Sequence, residues 1–431
     1  MPIMAPSAVS FPPSTEFVVA PEAYYSSGLR ARFLLDADRS AAKTQSNPAT
    51  YAKIGYEFDE IAYKERVQAS LAAGNLPRKV PAGWPTQLSG PLVWDRGDFP
   101  HENEYVYYLT DKDKIEISDA LKTFKGFGLG GHEVSQATFP LPSLGKELVK
   151  VRNDVYEGRG FAIVRGLDPD AYTMEDLTVV YLGISSYIGE RRGKQDQRGS
   201  MLMHVIKRGD EQRDIQYSED KPFHTDTVTD CLCLFTRSLS EKGGRSILAS
   251  AWTVYNEIAA TRPDIIHVLA QPNWPFDTFG RSPPYYTRPV LFYHDEKLIT
   301  SFSRRLLVGH VPFDKRTPGI PGLTEAQAEA LDMIHFVARK HEITPRIERG
   351  DLRFINNMAV LHRREAFENS AGKARHLIRI WLNNAQMCWK LPRTLQLSWA
   401  RIFEDNEREE HWDLEPPRRD GKILRVAGSC D

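Results

Sequence analysis

The sequence predicts an α+β protein, mostly β with helices inserted between its strands. Short apolar runs of strand length recur in the second half, at Cys231-Leu-Cys-Leu-Phe235, Leu291-Phe-Tyr293, Leu298-Ile-Thr300, Leu352-Arg-Phe-Ile355 and His376-Leu-Ile-Arg-Ile-Trp-Leu382. Helix-opening signals fall between such runs, the clearest being the capping box Thr324-Glu-Ala-Gln327. Ahead of both, Gly158-Arg-Gly-Phe-Ala-Ile-Val-Arg-Gly166 has the form of a buried strand between glycine turns.

Residues 1–50 are rich in Ala, Ser and Pro with little periodicity, and an irregular start is expected. Residues 51–150 mix short apolar runs with breaks such as Pro81-Ala-Gly-Trp-Pro85, which suggests an elaboration packed on the core. Thr173-Met-Glu-Asp176 predicts an N-cap with an acidic first turn, opening a helix to about Ile188. Thr253 or Pro263 could each open a helix ahead of Ile265 and Leu269. After the Thr324 box, Ala328, Leu331, Ile334 and Ala338 recur at helical spacing. The charged stretch from Glu404 is expected to be solvated.

Composition narrows the function. Lys plus Arg number 56 against 57 Asp plus Glu, so no electrostatic footprint marks a nucleic-acid or anionic-membrane partner. Four cysteines in 431 residues cannot build a disulfide framework, which fits a reducing compartment. No apolar run approaches the ~18 residues of a membrane span, and the start lacks the pattern of a secretory signal. A cytoplasmic protein with a small-molecule partner is the expectation. The amino-terminal segment could shape a pocket or form a homo-oligomer interface, and both remain open.

The candidate chemistry begins at Phe223-His-Thr-Asp226. In an extended segment, residues two apart share a face, so His224 and Asp226 could reach one cation. A lone His-x-Asp triplet is as readily a surface strand pair. Its context includes Glu241-Lys-Gly-Gly-Arg-Ser246, the distant Asn357-Met-Ala-Val-Leu-His362, and Arg375-His-Leu-Ile-Arg379. Two histidines and one carboxylate on one side of a metal suit non-haem iron(II) oxygen chemistry, because the remaining positions can take a bidentate 2-oxo acid and dioxygen. A distant third ligand is expected if strands far apart in sequence meet in a jelly roll.

These residues together resemble the taurine dioxygenase and clavaminate synthase-like family of iron(II)/2-oxoglutarate dioxygenases. The resemblance covers roughly residues 150 to 390, and Gly158 to Gly166 is similar to the family's opening strand. It implies a double-stranded β-helix, or jelly roll, over residues 151–400, preceded by an elaboration at 1–150 and followed by a charged tail at 401–431. It implies that His224, Asp226 and His362 hold iron(II), and that Arg375 and Ser246 receive the distal carboxylate of 2-oxoglutarate. The planar fork of an arginine suits that carboxylate better than lysine does. Arg379 matches a second arginine that faces the pocket and in some members meets an anionic substrate. The implied reaction consumes dioxygen and 2-oxoglutarate, releases succinate, and oxidises an unactivated carbon, with hydroxylation as the default and desaturation or cyclisation as variants. An amino or other organic acid, or a specialised metabolite, is the expected substrate class. Two departures stand out: the segment between Asp226 and Gly243 is shorter than in taurine dioxygenase, and Arg245 replaces an often acidic residue.

Other signals are weaker. Gly126-Phe-Gly-Leu-Gly-Gly131 has the spacing of a dinucleotide fingerprint, but Ser118 to Lys125 reads as a helix ended by glycine rather than a strand. Cys231 and Cys233 read as small buried hydrophobes. His335 and His341 read as helix packing or surface, and His376 should point away from the Arg375 side of its strand. Tyr285, Tyr286 and Arg288 could line an entrance or simply pack. A metal-dependent hydrolase or cupin-like enzyme could use the same three ligands, with zinc in place of iron, but leaves Ser246 and Arg375 without a role. A non-catalytic binding protein that kept the fold is the third alternative.

Overall fold

The strongest apolar runs do not alternate with polar residues because the strands they form are covered on both faces. The structure is a computed structural model and describes residues 51–207, 218–226, 228–279, 283–311, 314–419 and 422–423. The irregular start expected over residues 1–50 lies outside the described residues. In chain order the strands are β1 (Val106–Tyr108), β2 (Phe161–Arg165), β3 (Arg191–Arg192), β4 (Met203–Ile206), β5 (Lys221–His224), β6 (Cys231–Ser238), β7 (Lys242–Gly243) and β8 (Ser246–Ser250). They continue as β9 (Trp274–Asp277), β10 (Tyr285–Arg288), β11 (Leu291–His294), β12 (Lys297–Thr300), β13 (Leu352–Asn356), β14 (Val360–Arg364), β15 (Phe367–Glu368) and β16 (His376–Asn383).

Two sheets carry the architecture. The larger runs β1-β2-β13-β6-β16-β3, with β4 also on β16, and the smaller runs β5-β14-β8. Cys231, Cys233, Phe235, Leu352, Phe354, Ile378 and Ile380 pack on one face of the larger sheet with Leu148, Val155 and Tyr181 of the helices Leu144–Tyr156 and Met174–Ser186. The intervening residues Leu232, Ile355 and Trp381 turn to the opposite face, where they meet Leu248 and Val360 of the smaller sheet. Behind the smaller sheet lies a second layer, built from the helices Ala251–Thr261, Pro263–Leu269 and Glu325–His341. The order is therefore helices, large sheet, interior, small sheet, helices.

Several expected elements fall where the sequence places them. β2 is buried throughout, Thr173 accepts from Asp176 N as the cap of its helix, and Thr324 and Gln327 form the capping box. Gly128 ends the helix Asp111–Phe127 in the left-handed conformation, so the glycine-rich stretch there is a helix stop. Pro263 opens a helix, whereas Thr253 lies inside one capped by Ser250, whose hydroxyl accepts from Trp252 N and Thr253 N.

Two expectations need correction. The chain is mixed rather than mostly β, since more of its described residues lie in helices than in strands. The surplus comes partly from the amino-terminal region, where the helix Glu60–Ala73 buries only Tyr63 and so shows no apolar stripe. Arg66 ties that helix to Asp332 of the helix Glu325–His341, and Arg304 pairs with the same carboxylate. The second correction concerns the segment after Glu404, in which Asp405, Arg408, His411, Trp412 and Asp413 are buried. Their charges find protein partners instead of water: Arg198 pairs with Asp413, and Lys194 Nζ donates to the Asp405 and Arg408 carbonyls.

A buried ion pair joins β2 to the turn that starts β13. Arg165 donates through Nε and Nη2 to the two Asp351 oxygens, both at 2.9 Å. Asp351→Ala leaves that guanidinium buried without its carboxylate, which costs about 3–5 kcal/mol. The expected outcome is a lower urea midpoint at unchanged slope; an unmoved midpoint would show that Glu102 and Glu348, whose carboxylates lie 3.0 and 3.5 Å from Arg165 Nη1, compensate.

Candidate active site

β14 pairs with β5 so that His362 lies directly opposite His224. That register alone sets the two imidazoles side by side, with ring centroids 4.4 Å apart. Asp226 follows two residues after His224, just past the end of β5. Its backbone N–H donates to Asn357 Oδ1 at 2.8 Å, which pins the turn to the β13–β14 connection. The three side chains each offer one ligand atom, all within 4.8 Å of one another. His362 Nε2 and Asp226 Oδ1 are 3.5 Å apart, close to the ~3 Å expected of adjacent ligand atoms each about 2.1 Å from one ion.

Protonation favours a cation here. Burial, with His362 beside it, pushes His224 down to about 3, so its imidazole is neutral. Its Nδ1 lies 2.9 Å from the Pro222 carbonyl, which can only accept; Nδ1 therefore carries the proton and Nε2 the free lone pair. Burial alone would raise Asp226, but Arg379 and the two histidines hold its carboxyl well below the usual range. Arg379 Nη1 lies 3.0 Å from Asp226 Oδ2, and Trp381 Nε1 donates to the same oxygen at 2.7 Å. One carboxylate oxygen is thus held by the large sheet while the other faces the histidines. Two imidazoles and one anionic oxygen on one side of a pocket are the donor set that suits iron(II).

That pocket is lined by His224, Asp226, His362, Ser246, Arg375 and Arg379, with Leu232, Leu234, Leu248, Ile355 and Leu377 as apolar walls and Lys221, Arg363 and Arg364 adding positive charge. The structure thereby brings together every site residue singled out in the sequence. Arg375 is seated by the glycine pair. A Cβ on Gly243 would come within 2.1 Å of the Ala366 carbonyl, and one on Gly244 within 3.1 Å of Arg375 Cδ. Both glycines have left-handed φ, 66° and 73°. Without them β7 could not close on β15, whose Phe367 ring lies 5.5 Å from the Arg375 guanidinium. Arg245 also has an account: it forms a bidentate pair with Glu365, at 2.7 and 2.8 Å.

Four contributors were not assigned from sequence. Trp381 and Arg379 share a face of β16, so strand alternation from Arg375 could have found Trp381. Asn357 belongs to the run ending at His362, but nothing local announces that it holds Asp226. Gln195 accepts from Arg379 Nε at 2.8 Å through Oε1. Arg353 donates to Ser246 Oγ. The last two act from distant segments and carry no sequence signal. The residues set aside behave as packing: His335 Nδ1 accepts from Phe223 N, His341 bonds Glu257, His376 bonds His204 away from the pocket, and Arg288 stacks on Phe276.

Residues 125–381 match the family described as taurine catabolism dioxygenase TauD, TfdA family. The chain belongs to this family. Its members are non-haem iron(II) oxygenases that use 2-oxoglutarate and dioxygen, and this protein is such an enzyme. The taurine hydroxylase-like protein SAT17 of Stachybotrys chartarum is 32% identical over 345 residues, which cover 77% of this chain and 89% of that protein. The FR-33289 synthase of Streptomyces rubellomurinus is 24% identical over 314 residues, covering 69% and 90%. Among solved structures, an asparagine oxygenase with Fe(II), 3-hydroxyasparagine and succinate aligns with TM-score 0.49 and 16% identity, over 64% of this chain and 93% of that one. The non-haem iron oxygenase OrfP with iron and α-ketoglutaric acid aligns with TM-score 0.45 and 15% identity over the same shares, 64% and 93%.

In a TauD-family enzyme, groups that orient a ligand affect affinity for the metal. Trp381→Phe keeps the ring bulk and deletes the donor to Asp226 Oδ2. It is expected to weaken iron(II) binding by about tenfold or more, measured by anaerobic metal titration. Unchanged affinity would mean that Arg379 alone orients the carboxylate.

Proposed function

We propose that this enzyme couples oxidative decarboxylation of 2-oxoglutarate to oxidation of a small organic molecule, with iron(II) held by His224 Nε2, Asp226 Oδ1 and His362. The observation that carries this is the joint presence, in one pocket, of a three-atom ligand cluster and of Ser246 with Arg375. In the default outcome substrate R–H, 2-oxoglutarate and dioxygen become R–OH, succinate and carbon dioxide; desaturation or ring closure uses the same oxidising equivalents. Bound iron supplies the centre at which the 2-oxo acid and dioxygen react. The chain's residues do the rest. His224 and His362 present their imidazole nitrogens, Trp381 and Arg379 fix the Asp226 carboxylate, and Arg375 with Ser246 receives the distal carboxylate of 2-oxoglutarate. The leucine and isoleucine walls exclude water from the reacting end, which strengthens each charged contact.

The substrate class we favour is a small organic acid, such as an amino acid or an acidic specialised metabolite. Lys221, Arg364 and Arg379 line the pocket in addition to Arg375 and give it a surplus of cations. Arg379 is the candidate substrate contact, sharing its guanidinium with Asp226. We read the two facing sheets as a double-stranded β-helix, in which β5 and β14, distant in sequence, are neighbours. Residues 151–400 form the catalytic unit in this account, with 51–150 packed against it. No described helix is long and apolar enough to cross a membrane. The free buried thiols of Cys231 and Cys233 fit a cytoplasmic setting.

Anaerobic addition of 2-oxoglutarate to the iron(II)-loaded protein should give a visible charge-transfer band, because the 2-oxo acid chelates the metal. A zinc hydrolase or a non-catalytic binding protein on the same ligands would give none. Absence of the band in fully loaded protein would overturn the proposal. Hydrogen bonds to a charged group are worth roughly 1.5–3 kcal/mol each, so Arg375→Ala should raise the 2-oxoglutarate requirement at least about tenfold. Succinate release measured against 2-oxoglutarate concentration checks this, and an unchanged half-saturation point would remove Arg375 from the role.

A further inference from the structure

We infer that Arg353 is a positioning residue for 2-oxoglutarate: its guanidinium donates to Ser246 Oγ and so turns the Ser246 hydroxyl proton toward the carboxylate that Arg375 receives. This rests on the assignment of Ser246 and Arg375 made above.

Arg353 lies in the middle of a central strand, between Ile163 on β2 and Leu234 on β6. Its side chain shares a face with Ile355, which lines the pocket, while Leu352 and Phe354 face the helices. An apolar residue would satisfy both neighbours, so packing does not call for an arginine there. The side chain is buried, and burial pulls the guanidinium down to about 10 without neutralising it at ordinary pH. Such a charge is costly unless it meets an anion or good acceptors.

Among the described residues Arg353 has no carboxylate in salt-bridge distance. Asp351, on the neighbouring turn, is engaged by Arg165 through both oxygens. The Arg353 hydrogen bond is the one from Nη1 to Ser246 Oγ, and its Nε has no partner among the described residues. A serine hydroxyl has one proton to give and two lone pairs. With a lone pair taken by Arg353, the proton is left to point elsewhere, and Ser246 and Arg375 line the same pocket. A cation behind the hydroxyl also polarises it and makes it the better donor. The arrangement places a cation behind a neutral donor at the end of the pocket where an anion is to be held.

The experiment uses the full chain, loaded with iron(II) under anaerobic conditions and titrated with 2-oxoglutarate while the charge-transfer band is followed. Parent, Ser246→Ala, Arg353→Gln, Arg353→Lys and the double variant Ser246→Ala/Arg353→Gln are compared. 2-Oxobutyrate, which keeps the chelating end and lacks the distal carboxylate, is titrated in parallel. Arg353→Gln should weaken 2-oxoglutarate by about tenfold and leave 2-oxobutyrate unchanged. Because the effect passes through Ser246, the double variant should be within about twofold of Ser246→Ala alone. Arg353→Lys, which keeps a charged donor, should fall between parent and Arg353→Gln; it carries the same comparison should the glutamine variant fail to fold. Equal weakening of both acids, an undiminished penalty in the Ser246→Ala background, or parent-like binding in the folded variant would each overturn the inference. Those results leave the dioxygenase assignment standing, whereas a parent that gives no band overturns both.

Discussion

The Asp226 carboxylate is the point on which the site depends, because it is where the two sheets meet chemically. Its Oδ2 is held by Trp381 and Arg379 of β16, in the large sheet. Its Oδ1 faces His362 of β14, in the small sheet. A buried carboxylate with no partner would be raised in pKa and protonated. Two donors on one oxygen keep it ionised and stop it rotating, which leaves the other oxygen to a cation. The histidines need less help. Their placement follows from one antiparallel register, and a slip of one residue between the two strands would leave them on opposite faces of the sheet.

The sequence singled out the three candidate ligands and the Ser246–Arg375 pair that the fold brings into one pocket, because each belongs to a short motif whose spacing reflects strand geometry. His224 and Asp226 are two apart on an extended segment. Gly243 and Gly244 precede Ser246 because β7 must approach the Ala366 carbonyl more closely than any Cβ permits. The helix caps at Thr173 and Thr324 were readable for the same reason: the donor, the acceptor and the spacing all lie within four residues. What was not legible is non-local. Arg353 reaches Ser246 across the interior between the sheets, and Gln195 reaches Arg379 from a loop far upstream, so neither leaves a trace in local pattern. The helix Glu60–Ala73 was hidden for a different reason, since it is held to Asp332 by Arg66 and not by an apolar stripe.

Charge accounts for much of the pocket's character. It holds one ionised carboxylate and several cations, and the cations are not equivalent. Arg363 is paired with Glu342 at 3.0 Å through two donors, so its charge is largely spent on the protein. Arg379 is divided between Asp226 and Gln195. Arg375 lies over the Phe367 ring, an interaction that orients its plane.

The buried carboxy-terminal segment gives the same site a second support. Lys194 donates to the Asp405 and Arg408 carbonyls, Arg408 to the Asp196 carbonyl, and Arg198 pairs with Asp413. Between those clamped residues sits Gln195, whose Nε2 donates to the Met201 carbonyl at 2.9 Å and to the Arg379 carbonyl at 2.8 Å while its Oε1 accepts from the Arg379 side chain. The amide thus grips the arginine at both backbone and guanidinium. A chain of hydrogen bonds and ion pairs runs from residues 405–413 through the 194–200 loop to Gln195, Arg379 and the Asp226 carboxylate. Charges that look like a solvated tail in the sequence are, in the fold, the outer end of the scaffold that aims Asp226. Their burial has a physical reason: a loop that must hold one guanidinium still has to be held on its far side as well.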